Sequence, residues 1–204
     1  MTELQKIFVF DFDGVVCDST DECMVTSWNA WEKWESRSGF RKAVAEFDEE
    51  EKAKFRKLRP RVRGAGEYYI LHRAFSEGIN IENQADYSQL EADWKEHLAS
   101  FKTLFFEERE RLRGLNLDAW IDLHPIYDGV IERMKSFNDQ GRLYIATLKD
   151  GESVRLILKK KGLVVESKKI LDQSQITSKL QALDRFRSQV GCEKDDLIFM
   201  FFII

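Results

Sequence analysis

Two carboxylates one residue apart, Asp11 and Asp13, follow four apolar residues, Ile7 to Phe10, and precede Gly14. A short apolar run of this kind makes a strand buried in a parallel sheet, and acids at its end are delivered to one sheet edge. Strand alternation turns Asp11 and Asp13 in a similar direction with Phe12 turned away, and Gly14 permits a sharp turn beyond them. Carboxylates so placed suit nucleophilic attack by one and proton donation by the other, with a divalent cation between them to suppress their repulsion. The alternatives are a strand with an acidic turn, and a calcium loop. A calcium loop needs further oxygen ligands and a closing Glu, and here Val15, Val16 and Cys17 follow instead.

Composition limits what can position this pair. At 204 residues the chain holds one good core, or one core with a smaller inserted lobe, and its 43% hydrophobic share predicts a packed globular protein. A net charge of −4 gives no global argument for nucleic acid as a partner. No apolar run has the length of a membrane span, and Met1 to Lys6 lacks a signal-peptide pattern, so no membrane partner is expected. Cys17, Cys23 and Cys192 are an odd number without metal-ligand spacing, which predicts reduced thiols and a cytoplasmic location. Nothing in the composition fixes an oligomeric state.

After Ser19 the strand signal stops, and helical periodicity runs from Thr20 to about Leu123. Cys23, Met24, Ser27, Trp28, Trp31 and Trp34 recur every three or four residues, which predicts an amphipathic helix with the tryptophans in a core rather than stacked on a ligand. Lys52 to Arg63 holds seven Lys or Arg and no acid. A solvated helix face, a nucleic-acid patch, and an anion site built from Arg61 and Arg63 on a Gly-rich loop all remain open for it. A helix is expected from Glu67 to about Glu77, then one long helix from Asp86 to Arg113 with Gly114 just past its end. His72, His97 and His124 lack an H-x-x-x-H partner and are read as structural.

Beyond Pro125, helix and strand alternate. Helices are expected at Ile126 to Gln140, Gly151 to Lys161 and Ser178 to Val190, and strands at Leu143 to Ala146, Lys169 to Leu171 and from Leu197 onward. This is the pattern of a parallel sheet wound with helices, so the expected fold is α/β, with core pieces 1–19 and 124–204 and a helical insertion 20–123. Ligands of such sheets sit at the carboxyl ends of the strands, where Thr147 joins Asp11 and Asp13 if their strands are neighbours. A hydroxyl beside free N–H groups at a helix start can hold phosphate, and an ordinary helix-capping threonine is the alternative.

The stretch I-F-V-F-D-F-D-G-V-V-C-D-S, Ile7 to Ser19, resembles the first motif of the haloacid dehalogenase superfamily, in its phosphoglycolate-phosphatase-like branch. I-A-T-L-K-D, Ile145 to Asp150, is similar to its second motif, and S-K-L-Q-A-L, Ser178 to Leu183, to its third. Lys149, Lys159 and Lys168 compete with Lys179 for the third-motif lysine. The resemblance implies a Rossmann-like parallel sheet with an inserted all-α cap and a Mg²⁺-dependent hydrolysis of a small phosphorylated substrate. In that mechanism Asp11 attacks phosphorus to give an aspartyl-phosphate, and Asp13 protonates the leaving oxygen and then activates water. Thr147 and the N–H groups of Phe12 and Leu148 hold the phosphoryl oxygens, while Lys179 offsets charge. Mg²⁺ would bind the Asp11 carboxylate and the Asp13 carbonyl, and Arg61, Arg63 and Tyr68 become candidate specificity residues of the cap.

Asp13 argues against haloalkanoate dehalogenation, and a phosphomutase of the same family would share these residues. The family's fourth motif is a strand followed by acids that complete the metal site. Asp195-Asp196-Leu197-Ile198-Phe199-Met200 begins like it, but Phe201, Phe202, Ile203 and Ile204 follow, with no acid where one is due. The expectation is a truncated or frame-shifted copy, with a divergent core or one completed by a partner as the alternatives. It keeps open a catalytically impaired binding module.

Overall fold

The computed structural model describes residues 6–201, and the chain divides into two compact units, Met1–Ser19 with His124–Ile204, and Thr20–Leu123. Its principal elements in chain order are β1 (Ile7–Phe10), α1 (Thr20–Trp34), α2 (Glu49–Leu58), α3 (Tyr68–Glu77), α4 (Gln84–Asp93), α5 (Lys95–Leu115) and α6 (Leu117–Asp122). Then follow α7 (Val130–Asp139), β2 (Leu143–Ala146), α8 (Gly151–Lys160), β3 (Ile170–Leu171), α9 (Lys179–Val190) and β4 (Leu197–Met200).

The first unit is an α/β layer structure. Among the described residues its four strands are all parallel in the order β3-β2-β1-β4, with Phe8 opposite Leu143 and Ile198. Alternation along β1 loads both faces. Ile7 and Val9 join Tyr144, Ala182 and Phe186 in one cluster, with α9 against that face, while Phe8 stacks on Phe137 of α7 at 3.8 Å on the other. The strand order reverses at β1. In sheets of this class that reversal opens a crevice at the carboxyl ends of the strands, which is where β1 delivers Asp11 and Asp13.

The chain leaves and re-enters this unit along one narrow path. Cys17 and Ile126 form an antiparallel bridge, Asp18 N–H donates to Pro125 O at 2.9 Å, and Tyr127 N–H donates to Val16 O at 3.1 Å.

The second unit is helical, with α1 and α5 as its main packed pair. Trp31 packs on Tyr69, and the Tyr68 ring stacks between Phe55 and Phe105 at 5.7 and 5.2 Å. Within this aromatic core Arg109 donates through Nε and Nη2 to the two oxygens of Glu22, both at 2.8 Å, and Thr26 Oγ1 donates to Glu22 Oε1 at 2.7 Å. Gly66 is required by a close approach: a Cβ there would lie 2.3 Å from Leu98 O on α5. The glycines of the Arg59–Gly66 stretch thus include one that serves packing.

Three element boundaries differ from expectation. The long helix divides at Trp94, which ends α4 and starts α5 with a non-helical ψ of 15°, and the second piece continues through Gly114 to Leu115. Asn116 then caps α6 by accepting from Ala119 N–H, an element the sequence pattern did not mark. The helix expected from Ile126 begins at Val130, because Ile126 pairs with Cys17 and Gly129 takes a left-handed φ of 72°. β4 is described to Met200. The remainder of the apolar run, Phe202 to Ile204, lies outside the described residues.

Candidate active site

The loop after β1 is built on Gly14, whose φ of +79° only glycine adopts readily. Gly14 N–H donates to Cys17 O at 2.8 Å and Val16 N–H to Phe12 O at 2.8 Å, while the Phe12 ring is fully buried. Burying Phe12 fixes the directions of its neighbours. Asp11 and Asp13 remain partly accessible at the sheet edge, with side chains 22% and 26% exposed.

Lys179 joins three elements at this edge. It is the first residue of α9, which Ser178 caps by accepting from Gln181 N–H, and its ammonium donates to Asp11 Oδ1 and, at 2.9 Å, to Ala146 O at the end of β2. A lysine in the first turn opposes the helix dipole, so its position is explained by the carboxylate it meets. Burial pushes the Asp11 carboxyl up from its ordinary value, against the downward pull of Lys179 and of the Phe12 N–H, which donates to Oδ1 at 2.7 Å.

Thr147 follows Ala146 directly. Its N–H continues the sheet to Leu171 O at 2.9 Å, and its Oγ1 accepts from Lys149 N–H at 3.0 Å. The helix cap of α8 is Asp150, which accepts from Ser153 N–H, so Thr147 is not the capping residue. Leu148, in the same turn, is 37% exposed.

Two residues of this region carry no motif signal of their own. Lys149, considered only as a rival to Lys179, has a fully buried side chain and an ammonium 3.4 Å from Asp13 Oδ1. Each carboxylate of the pair therefore meets its own lysine. Asp172 at the end of β3 accepts from Gly151 N–H at 2.8 Å and from Ser174 N–H and Oγ, tying β3 to the start of α8. A Cβ on Gly151 would lie 2.5 Å from that carboxylate. The pattern of an acid closing a strand could have drawn attention to Asp172.

The other sequence candidates lie in the second unit. Arg61 Nη2 donates to Glu82 O at 3.0 Å, and the exposed Arg63 is held through its N–H on Glu67 Oε2 at 2.8 Å. Tyr68, at 3% exposure and stacked on both ring faces, packs within the aromatic core of this unit, and burial holds its hydroxyl well above the ordinary tyrosine value. Much of the basic run is paired, with Lys52 on Glu49, Lys54 on Glu50 and Arg56 on Asp21. Asp195 and Asp196 precede β4, whose parallel register puts them at the opposite edge of the sheet from Asp11.

A family model of the haloacid dehalogenase-like hydrolases matches residues 5–191. The chain belongs to that family. Among solved structures it is similar to a predicted phosphoglycolate phosphatase from Haemophilus somnus, at 16% identity and a TM-score of 0.57 over 98% of this chain and 77% of that one. A HAD hydrolase, family IA, variant 3, from Entamoeba histolytica matches at 15% identity and 0.51 over 96% and 74%. A protein described as a β-phosphoglucomutase from Thermotoga maritima matches at 16% and 0.50 over 96% and 75%. At these identities the likeness is one of fold. No curated protein sequence matches the chain.

For a haloacid dehalogenase-like chain the question of Mg²⁺ turns on donors. Mg²⁺ takes hard oxygens and is satisfied by one or two carboxylates together with water and a substrate phosphate. Asp11 and Asp13 are donors of that type. Among the described residues no group of three or more His, Cys, Asp or Glu side chains gathers to hold a metal. Among the described residues no helix is long and apolar enough to cross a membrane.

Proposed function

We propose that this chain hydrolyses phosphomonoesters of small metabolites through an aspartyl-phosphate on Asp11. The observation that carries the proposal is the convergence at one sheet edge: Lys179 donates to both the Asp11 carboxylate and the Ala146 carbonyl, which brings β1, β2 and α9 to one point beside Thr147. Asp11 attacks phosphorus in line with the leaving oxygen. Asp13 passes that oxygen a proton and then takes one from the water that cleaves the acyl-phosphate, proton transfers worth roughly 10²–10⁴ in rate. The Thr147 hydroxyl, whose oxygen already accepts from Lys149 N–H, has its own proton to give a phosphoryl oxygen, and Lys179 offsets the charge that phosphate brings. The Asp11 carboxylate and the Asp13 carbonyl would hold Mg²⁺, which supplies charge neutralisation between two anions.

The second unit serves as a cap in this proposal, with Arg61 and Arg63 as contacts for the part of the substrate beyond the phosphate. The ion pairing of the basic run favours a small-molecule substrate over nucleic acid. Three buried free cysteines favour a reducing, cytoplasmic setting. A second reading, a phosphate-binding member without turnover, is favoured by the lysine already meeting each carboxylate. Phosphate release from a panel of phosphomonoesters, with Asp11→Asn as control, separates these. Release by the parent alone supports the hydrolase, an isomerised sugar phosphate supports a mutase, and binding of inorganic phosphate without release supports the binding module.

A further inference from the structure

The chemistry above leaves the Lys149 side chain without a task. That side chain is fully buried in the sheet unit, and its ammonium lies 3.4 Å from Asp13 Oδ1. Taking an ammonium out of water costs several kcal/mol, and an apolar chain of similar length would fill the same space without that cost. Packing alone therefore does not account for a lysine at this position.

The turn that carries Lys149 is fixed on both sides. Lys149 N–H donates to Thr147 Oγ1 at 3.0 Å, Asp150 accepts from Ser153 N–H at 2.8 Å, and Gly151 N–H donates to Asp172 Oδ2 at 2.8 Å. Its ammonium is thus delivered to one place. Asp13 is held opposite by the loop built on Gly14, and its Oδ1 is buried although the side chain as a whole is 26% exposed. An oxygen that is buried against a cation does not reach substrate, so Asp13 meets substrate and water through Oδ2. A proton on Oδ1 would also point at a positive group, which makes Oδ2 the oxygen that gives and takes protons.

We propose that Lys149 is a positioning residue for Asp13: by holding Oδ1 it fixes Oδ2 as the oxygen that exchanges protons with the leaving group and with water. This rests on the phosphatase reading. In the first half of that reaction an Asp11 oxygen bonds to phosphorus, the leaving oxygen departs with the electron pair of its bond, and Oδ2 supplies it with a proton. In the second half a water oxygen bonds to phosphorus, its proton passes to Oδ2, and the electron pair of the acyl-phosphate bond returns to Asp11 as carboxylate. Misplacing a reacting group by an ångström costs about 10² in rate. The two halves differ in their need for Oδ2 when the leaving group is p-nitrophenolate, which departs as a stable anion, whereas the attacking water must still lose a proton.

Turnover of p-nitrophenyl phosphate by the full chain separates the two halves. In the parent, p-nitrophenolate and phosphate should appear together at one steady rate. In Lys149→Met a burst of about one p-nitrophenolate per chain should precede a steady rate about 100-fold lower, and intact-mass measurement should find the chain phosphorylated during turnover. Solvent reaches the Asp13 side chain, so this variant strands a carboxylate that water can still stabilise. Lys149→Gln, whose amide can donate to Oδ1, is the second variant and should recover part of the steady rate. Unchanged turnover in a folded Lys149 variant, or a loss of turnover with neither burst nor phosphorylated chain, overturns the role given to Lys149 and leaves the phosphatase reading standing. A parent that releases neither product overturns the phosphatase reading, and this proposal with it.

Discussion

Each unit buries charge, and the two do so to different ends. In the helical unit Glu22 and Arg109 are enclosed, with side chains 0% and 6% exposed, and the Glu22 carboxylate accepts from two nitrogens of one guanidinium and from the Thr26 hydroxyl. In the sheet unit Asp11 and Asp13 meet lysines but stay about a quarter open to solvent. A pair satisfied from all sides holds two helices together, and its worth lies in never being disturbed. A pair left open at a sheet edge has charge to offer an incoming anion. Exposure of the acid, not the presence of an ion pair, separates the structural case from the chemical one.

The comparison is broken most sharply by Asp11→Asn. Under the phosphatase proposal it removes the nucleophile, so phosphate release should fall at least 10³-fold, about 4 kcal/mol of barrier. The urea midpoint should stay close to the parent's, because the substitution relieves a carboxyl that burial already disfavours. Arg109→Met should do the reverse. It strands Glu22 in an aromatic core and should cost about 3–5 kcal/mol in urea unfolding, while Glu22→Leu with Arg109→Met recovers most of that loss.

Acid sharpens the contrast because the two units answer it with opposite signs. The folded His72 pKa lies below the unfolded value of 6.5, at about 3, so the unfolded chain binds the extra proton between those limits. Stability from His72 is complete above pH 6.5 and is lost on acidification at about 1.4 kcal/mol per pH unit. Asp11, raised above its unfolded 3.8, stabilises the protonated form and loses stability as pH rises from 3.8 through its folded value. Urea midpoints from pH 7 to 5 should therefore fall in the parent and fall less in His72→Gln. The smallest effect expected is Gly66→Ala, whose methyl group would press on the Leu98 carbonyl and should cost about 1–3 kcal/mol in thermal unfolding, with no change in the sheet unit's amide spectrum.

What could be seen in the amino-acid order depended on how local the cause was. Ile7 to Phe10, Leu143 to Ala146 and Leu197 to Met200 stand out as strands because their apolar residues are consecutive, and alternation with helices implies the parallel sheet. Asp11 stands out because it ends a strand, whereas Lys179 was named through the resemblance of Ser178 to Leu183 to the family's third motif. Lys149 was not separable from other lysines. What distinguishes it is burial beside Asp13, which depends on a contact across 136 positions of chain that no local pattern encodes. The packing of Tyr68 and Gly66 was not legible for the same reason, since their partners Phe105 and Leu98 come from a helix that follows later. The break at Trp94 interrupts an apolar stripe that reads continuously, whereas Asp128-Gly129 did carry a turn signal that helical periodicity overrode.

The bridge between Cys17 and Ile126, with the hydrogen bonds on either side of it, makes the helical unit a guest with a single doorway. Once those few residues are zipped, the sheet meets the 104 residues Thr20–Leu123 as little more than one long turn. The entropic penalty of such an excursion grows only with the logarithm of its length, about 0.6 kcal/mol for each doubling. Helices inserted there can be lengthened, replaced or redecorated while β1 and β2 keep their register, which leaves the chemistry of the strand ends free to persist as the guest diversifies.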